Sequence, residues 1–171
     1  MSERIPVFKG RVVDLGIERV ALPNGKTMDL EVVRHPGAAA VLPIHEDGSV
    51  TLIYQYRHAG GGMHYEVPAG TLEAGEVPEL CARRELQEEV GLSAKSLEQL
   101  AYVHTTPGFT DELIYLYVAT GLTQGETNLD EHEVIQPVRM PLESAVQMIL
   151  DGDITDAKTI ISLLLAEKAR G

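Results

Sequence analysis

Glu85, Glu88 and Glu89 fall within the run Arg84-Glu85-Leu86-Gln87-Glu88-Glu89. Residues three and four apart on a helix lie on the same side, so this spacing predicts three carboxylates on one face. Like charges at that spacing repel, and a helix that concentrates them invites a divalent cation. Mg²⁺ prefers oxygen ligands and keeps several waters, so it is usually held by a few carboxylates together with phosphate oxygens. Two such ions about 3.5–4 Å apart would clamp both the attacking and the leaving oxygen of a phosphoryl displacement. Arg84 precedes Glu88 by four residues and can pair with it, holding a carboxylate in place. The competing reading of an acid-rich helix is a solvated face, and the surroundings of the run decide between the two.

The elements around the run are suited to positioning it. Pro78 fits a first helical turn and Gly91 fits the left-handed residue after the last one. Ala82, Leu86 and Val90 recur every four residues and should face the core beside the carboxylates. Gly70 and Gly75 let the preceding loop fold tightly over the helix start. A backbone carbonyl in that loop, such as that of Ala69, would add a hard oxygen ligand.

The rest of the chain supplies mostly strands. In the first 35 residues, 11–15 and 17–22 carry alternating apolar positions, Asn24-Gly25 signals a hairpin, and 28–33 returns from it. Such a segment buries little by itself. It must pack on the main body or on another subunit, so residues 1–36 are expected to form a small antiparallel β segment ahead of a main domain over 37–171. In that domain, residues 38–44, 50–56, 65–67, 97–103, 113–119 and 134–140 read as strands, with Pro137 placing the last of them at an edge or a bulge. Gly60-Gly61-Gly62 and residues 121–132 read as loops, and at least one of Tyr54 and Tyr56 as core. Residues 141–150 and 156–169 read as amphipathic helices around Gly152. Strands with one embedded helix point to an α+β, mixed-sheet sandwich, not a doubly wound parallel sheet.

Bulk properties narrow the partners. A chain of 171 residues with 44% hydrophobic content suits one domain with a small appendage. Its 26 acidic against 14 basic residues give a net charge of −12, which opposes binding to nucleic acid. A small anion is still acceptable, because a metal ion inverts the local sign. The lone Cys81 excludes an intramolecular disulfide, fits a reducing compartment and reads as a packed helix residue. The start MSERIPVFKG has no apolar signal core, and the longest apolar runs are far too short to span a bilayer. A soluble cytoplasmic protein without a membrane partner is expected.

The spacing around the carboxylates is more specific than any of this. Gly70, five residues, Glu76, seven residues, Arg84-Glu85-Leu86, one residue, Glu88-Glu89, one residue, Gly91-Leu92 fills every fixed position of the Nudix box. The chain therefore closely resembles the Nudix hydrolases. That resemblance implies an α/β/α sandwich with a mixed sheet and divalent-metal hydrolysis of a nucleoside diphosphate linked to another group. It makes Glu85 and Glu89 primary metal ligands. Glu88 would be a ligand directly or through water, which places it among the catalytic candidates, and Glu76 and Arg84 would be orienting residues. Mg²⁺ is the expected cofactor, with Mn²⁺ as a substitute.

Features outside the box resemble the ADP-ribose pyrophosphatase subgroup. Glu66-Val67-Pro68-Ala69-Gly70 leads into the box, and Thr106-Pro107-Gly108-Phe109-Thr110-Asp111-Glu112 places Pro107 sixteen residues past Gly91. Asp130-Glu131-His132-Glu133 and residues 152–159 fit the same subgroup. By this resemblance a glutamate of a late loop activates the water. Glu131 and Glu133 are the candidates, with Glu131 favoured by the D-E-x-E alignment. Arg57, at a strand end, would grip a phosphate, Glu112 would accept from a ribose hydroxyl, and Phe109 would line the pocket. The expected reaction converts ADP-ribose, or another nucleoside diphosphate sugar, to AMP and a sugar phosphate in a homodimer whose N-terminal strands reach the partner. Another nucleotide sugar such as GDP-mannose, or a non-catalytic nucleotide-sensing role, are the alternatives.

Overall fold

The structure, a computed structural model, describes residues 3–129, 132 and 134–170. The chain begins with three antiparallel strands, β1 (Glu3–Lys9), β2 (Asp14–Ala21) and β3 (Thr27–Arg34), which form a sheet of their own in the order β1-β2-β3. The tight turn at Asn24-Gly25 connects β2 to β3 as the sequence suggests, with Gly25 at a φ of 80°. Two details differ from the sequence reading. The strand β1 was not expected, and residues 14–21 form one strand where two short ones were read. Arg4 explains part of this: its guanidinium lies across Gly16 and bonds Asp14 and Glu18, tying β1 to β2.

The main body holds two sheets. One has the order β7-β4-β9-β8, from β4 (Ala38–Pro43), β7 (Ala69–Thr71), β8 (Leu92–His104) and β9 (Leu113–Gln124). It is mixed, because β4 runs parallel to β9 and antiparallel to β7. The other has the order β10-β5-β6, from β5 (Ser49–Arg57), β6 (Gly62–Glu66) and β10 (Ile135–Pro141). Pro137 sits in β10, an edge strand, as the missing N–H requires.

Three helices cover these sheets: α1 (Pro78–Val90), α2 (Leu142–Asp151) and α3 (Ala157–Arg170). Alternation along β4 shows how the layers are sorted. Ala38, Ala40 and Leu42 pack with Leu142, Leu163 and Ala166 of α2 and α3, whereas Ala39 and Val41 pack with Cys81, Ala82 and Leu86 of α1. Every β4 residue is buried, which accounts for its continuous apolar run. The result is a mixed α+β sandwich with α1 on one side and α2 and α3 on the other. Among the described residues no helix is long and apolar enough to cross a membrane.

The helix that matters most is bounded as the sequence predicts. Pro78 opens α1, and Gly91 closes it at a φ of 66° with its N–H on the Gln87 carbonyl. Ala82, Leu86 and Val90 are all buried on the sheet. The aromatic expectation on β5 fails: Tyr56 is exposed and Tyr54 only half-buried, stacked on Tyr65 with ring centroids 4.5 Å apart. β5 reaches the open end of its sheet there, and its last even-numbered side chains pass beyond the cover of the helices.

Candidate active site

The carboxylates of α1 do not share one environment. Glu85 and Glu89, one turn apart, are both buried against β7, while Glu88 is half-exposed. The hydrogen-bond ladder explains the burial. Val41 N–H donates to the Pro68 carbonyl and Leu72 N–H to the Gly37 carbonyl, so residues 68, 70 and 72 face β4. The intervening peptide groups of Ala69 and Thr71 therefore face away from the sheet. There Ala69 N–H donates to Glu89 Oε2 at 2.9 Å, and the Thr71 carbonyl accepts from Arg84 at 3.3 Å. Gly70 is required by proximity, because a Cβ on it would lie 1.7 Å from Glu85 Oε1.

Arg84 gathers the acidic groups. Its guanidinium donates to Glu76 at 3.0 and 3.1 Å, to Glu85 at 2.6 Å and to Glu88 at 3.1 Å. Hydrogen bonds from Arg84 hold the Glu76 carboxyl down to about 2, and the same bonds raise Arg84 itself. Glu76 also accepts from Glu73 N–H at 3.0 Å, which folds the loop between β7 and α1 onto the helix. Cys81 is buried beneath this loop, and burial pushes its thiol up to about 12, so it is packing and not a nucleophile.

Facing these acids is a second charged group. Arg57 makes a two-pronged ion pair with Glu66, at 2.8 and 2.9 Å. Lys158 of α3 donates to Glu66 at 2.5 Å and to Asp156 at 3.0 Å. Glu66 is buried, which on its own would raise its pKa. The Arg57 hydrogen bonds and the Lys158 charge outweigh that and bring it to about 2. Asp156 caps α3 through Thr159 N–H, and Thr159 Oγ1 accepts from Val67 N–H at 2.8 Å. The start of α3 is thereby locked to the segment that leads into the box.

Between the two groups lies a cleft of about 480 Å³, lined by Arg11, Gln55, Arg57, Ala69, Gly70, Glu85, Glu89, Glu112 and Lys158 among others. It brings together Arg57, Ala69, Glu85, Glu89 and Glu112 from the sequence-derived set. Glu112 is oriented by the Thr105 hydroxyl at 2.7 Å. Phe109 does not reach the cleft within one chain. It is 54% exposed, and only its backbone is fixed, with Val33 N–H on its carbonyl. Glu131 and Glu133 lie outside the described residues. The chain on both sides of them is anchored at the site, through Asn128 N–H on the Glu88 carbonyl and through Ile135 paired with Gln55.

Sequence reading missed Arg11, Gln55 and Lys158 as lining residues. Gln55 and Arg57 alternate on one strand, so a period-two reading from Arg57 would have found Gln55. Lys158 and Arg11 come from remote segments and carry no local signal.

The donor set suits a hard divalent cation. Two buried carboxylates and an outward-facing backbone carbonyl are oxygen ligands of the kind Mg²⁺ takes, and the bare Cα of Gly70 leaves room for the Glu85 carboxylate among them. Among the described residues no three acidic, histidine or cysteine side chains close a complete cage.

Residues 33–163 match the NUDIX domain family. The chain belongs to the Nudix family. This Nudix chain is 44% identical to the methanol dehydrogenase activator of Bacillus methanolicus and 40% identical to the ADP-ribose pyrophosphatase of Bacillus subtilis (strain 168), in each case over 92% of its own length and 86% of the relative's. It is 37% identical to the GDP-mannose pyrophosphatase of Cronobacter sakazakii (strain ATCC BAA-894), over 95% of both chains. It is also similar to a crystal structure of an ADP compounds hydrolase, with a TM-score of 0.84, 25% identity, and coverage of 99% of this Nudix chain and 94% of that one.

The Glu66 ion pairs set a pH dependence. A carboxyl held near 2 in the fold against an ordinary 4.5 contributes stability that is complete above about pH 4.5 and is lost as the pH falls towards about 2. Urea unfolding of the wild type and Glu66→Gln should show the variant clearly less stable at pH 7, with the gap narrowing below pH 4.5. A gap that stays constant down to pH 2.5 would contradict the assignment.

Proposed function

We propose that this protein is a divalent-metal-dependent Nudix pyrophosphohydrolase that cleaves the diphosphate of ADP-ribose, or a closely related nucleoside diphosphate sugar, to AMP and a sugar phosphate. The observation that carries the reading is the cleft itself, with buried Glu85 and Glu89 on one wall and Arg57 and Lys158 on the other. A diphosphate needs cations on both sides, and this arrangement supplies protein cations on one wall and ligands for a metal on the other. The relatives acting on ADP-ribose and ADP compounds support the choice of nucleotide.

In this reading Glu85, Glu89 and the Ala69 carbonyl hold Mg²⁺, or Mn²⁺ in its place, with Glu88 contributing directly or through a water. The bound metal neutralises the charge that develops on the diphosphate and lowers the pKa of the attacking water. Arg84 and Glu76 keep the carboxylates oriented. Arg57, already aligned by Glu66, presents its cationic edge to a phosphate. Glu112 accepts from a ribose hydroxyl. Glu131, or Glu133 beside it, takes the proton of the water as it attacks, and their flanking anchors at Glu88 and Gln55 support that role. Phe109, which stands clear of the cleft within one chain, has no part in this reading.

The N-terminal sheet fits a homodimer. It touches the main body chiefly through Val33, Arg34 and His35, which bond Phe109 and Asp111. It leaves Ile5, Val7, Phe8 and Val12 exposed. A sheet with so little cover of its own is stabilised when a second copy packs on that apolar surface. Residues 1–36 then serve as a dimerisation segment for a catalytic domain over 37–171.

Two experiments test this. Hydrolysis of ADP-ribose and GDP-mannose should be measured with Mg²⁺ and with chelator. ADP-ribose should be preferred, chelator should abolish turnover, and Glu85→Gln or Glu89→Gln should lower kcat by at least about 10²-fold with folding retained. A clear preference for GDP-mannose would favour the second reading, which the Cronobacter relative supports. Sedimentation analysis should give a dimer for the wild type and a monomer for Phe8→Asp combined with Val12→Asp, and a monomeric wild type would remove the dimer proposal.

A further inference from the structure

Gln55 is a feature of the cleft with no part in the chemistry above. It lies on β5 two residues before Arg57, so the two side chains leave the same face about 6–7 Å apart along the strand, the scale of one sugar ring. The residue is 6% exposed and lines the cleft. Its Oε1 is buried and has no hydrogen-bond partner. Buried polar atoms in folded proteins are nearly always paired, so one that is not demands an explanation.

Among the described residues no donor bonds it. Its strand partners are Ile135, which has no polar side chain, and His64, whose Nε2 is directed to the Gly60 carbonyl. Of the cations lining the cleft, Arg57 is turned to Glu66 and Lys158 to Glu66 and Asp156, and neither these nor Arg11 donates to it. That leaves the atom open to a donor brought by a ligand in the cleft. Phosphate oxygens of a diphosphate diester are acceptors at neutral pH and cannot satisfy an amide oxygen. The hydroxyls of the attached sugars can.

We infer that Gln55 Oε1 accepts a hydrogen bond from a sugar hydroxyl of the bound nucleotide sugar and so helps select which sugars the cleft takes. This rests on the nucleoside diphosphate sugar reading above. A site built to bond a hydroxyl discriminates strongly against an analogue lacking it, because its own buried group is then left unpaired.

The test compares wild type and Gln55→Leu, which keeps the bulk and removes the amide, on three substrates. They are ADP-ribose, its analogue with a 2′,3′-dideoxyadenosine, and an ADP alkyl ester without distal-sugar hydroxyls. Gln55→Leu should lower kcat/KM about tenfold or more on ADP-ribose and on one truncated substrate, with no loss on the other, which lacks the contacted hydroxyl. The ligand-free variant should melt at or above the wild-type temperature, since an unpaired buried acceptor has been replaced by an apolar group. An equal loss on all three substrates would overturn the inference and point to a phosphate or a metal-held water as the contact. No loss on ADP-ribose would overturn it as well. If leucine is not accommodated, Gln55→Met gives the same three ratios. Wild-type protein that hydrolyses none of the substrates would instead defeat the functional reading, and this inference with it.

Discussion

Two buried carboxylates one turn apart on a single helix repel each other, and the surrounding structure has to hold them there. Glu85 and Glu89 are kept in place from three directions. Arg84 donates to Glu85, Ala69 N–H donates to Glu89, and the bare Cα of Gly70 leaves the volume that Glu85 occupies. Taking charges out of water is costly unless they are paired and hydrogen-bonded, and one guanidinium shared among three acids, Glu76, Glu85 and Glu88, offsets only part of that cost. On the proposed reading, a cation bound there would relieve the remaining repulsion. Placement of β7, a strand of only three residues, follows from the same constraint, because it turns two peptide groups outward towards the acids.

The opposite wall is built by long-range pairing. Arg57 stands at the end of β5, Glu66 at the end of β6 and Lys158 in the first turn of α3, and they meet only because the second sheet packs against that helix. Breaking a buried ion pair from one side typically costs about 3–5 kcal/mol, so Glu66 is as much a fold determinant as a site residue. The Thr159 hydroxyl, bridging Val67 N–H and the Asp156 carboxylate, fixes the same junction without net charge. Arg57 is thereby oriented by the fold itself, which would lower the entropy lost in the phosphate contact proposed above.

The elements legible in the sequence are those whose signals are local. Helix α1 was bounded correctly because Pro78 and Gly91 act within one turn of its ends, and its core face followed from Ala82, Leu86 and Val90. β4 was legible as a continuous apolar run because it is covered on both faces. By contrast, β7 is too short and too rich in small residues to show a period, and it exists because β4 offers an open edge. β9 continues to Gln124 where a loop was expected after Ala119, since Gly121 absorbs the irregularity at a φ of 64° and pairing with β8 carries the strand on. The carboxylates of the site were legible from spacing, but their unequal burial was not. Glu88 stays half-exposed because the helix turns it towards Arg84 and away from β7.

A net charge of −12 would repel an anionic substrate if it were spread evenly. The cleft reverses that sign locally in two ways. Arg57, Lys158 and Arg11 put three basic side chains on its lining, while Glu85 and Glu89, as proposed above, would hold a cation that carries two charges. Neither device suffices alone. The basic side chains are half neutralised by Glu66 and Asp156, and the carboxylates without a cation add to the repulsion. On the proposed reading, binding of a diphosphate would be coupled to binding of the metal, and the acidity of the remaining surface would oppose occupation of the cleft by larger polyanions that lack this fit. The neutral amide of Gln55 lies between the charged walls, where it can read a sugar without changing the electrostatics that hold the phosphates.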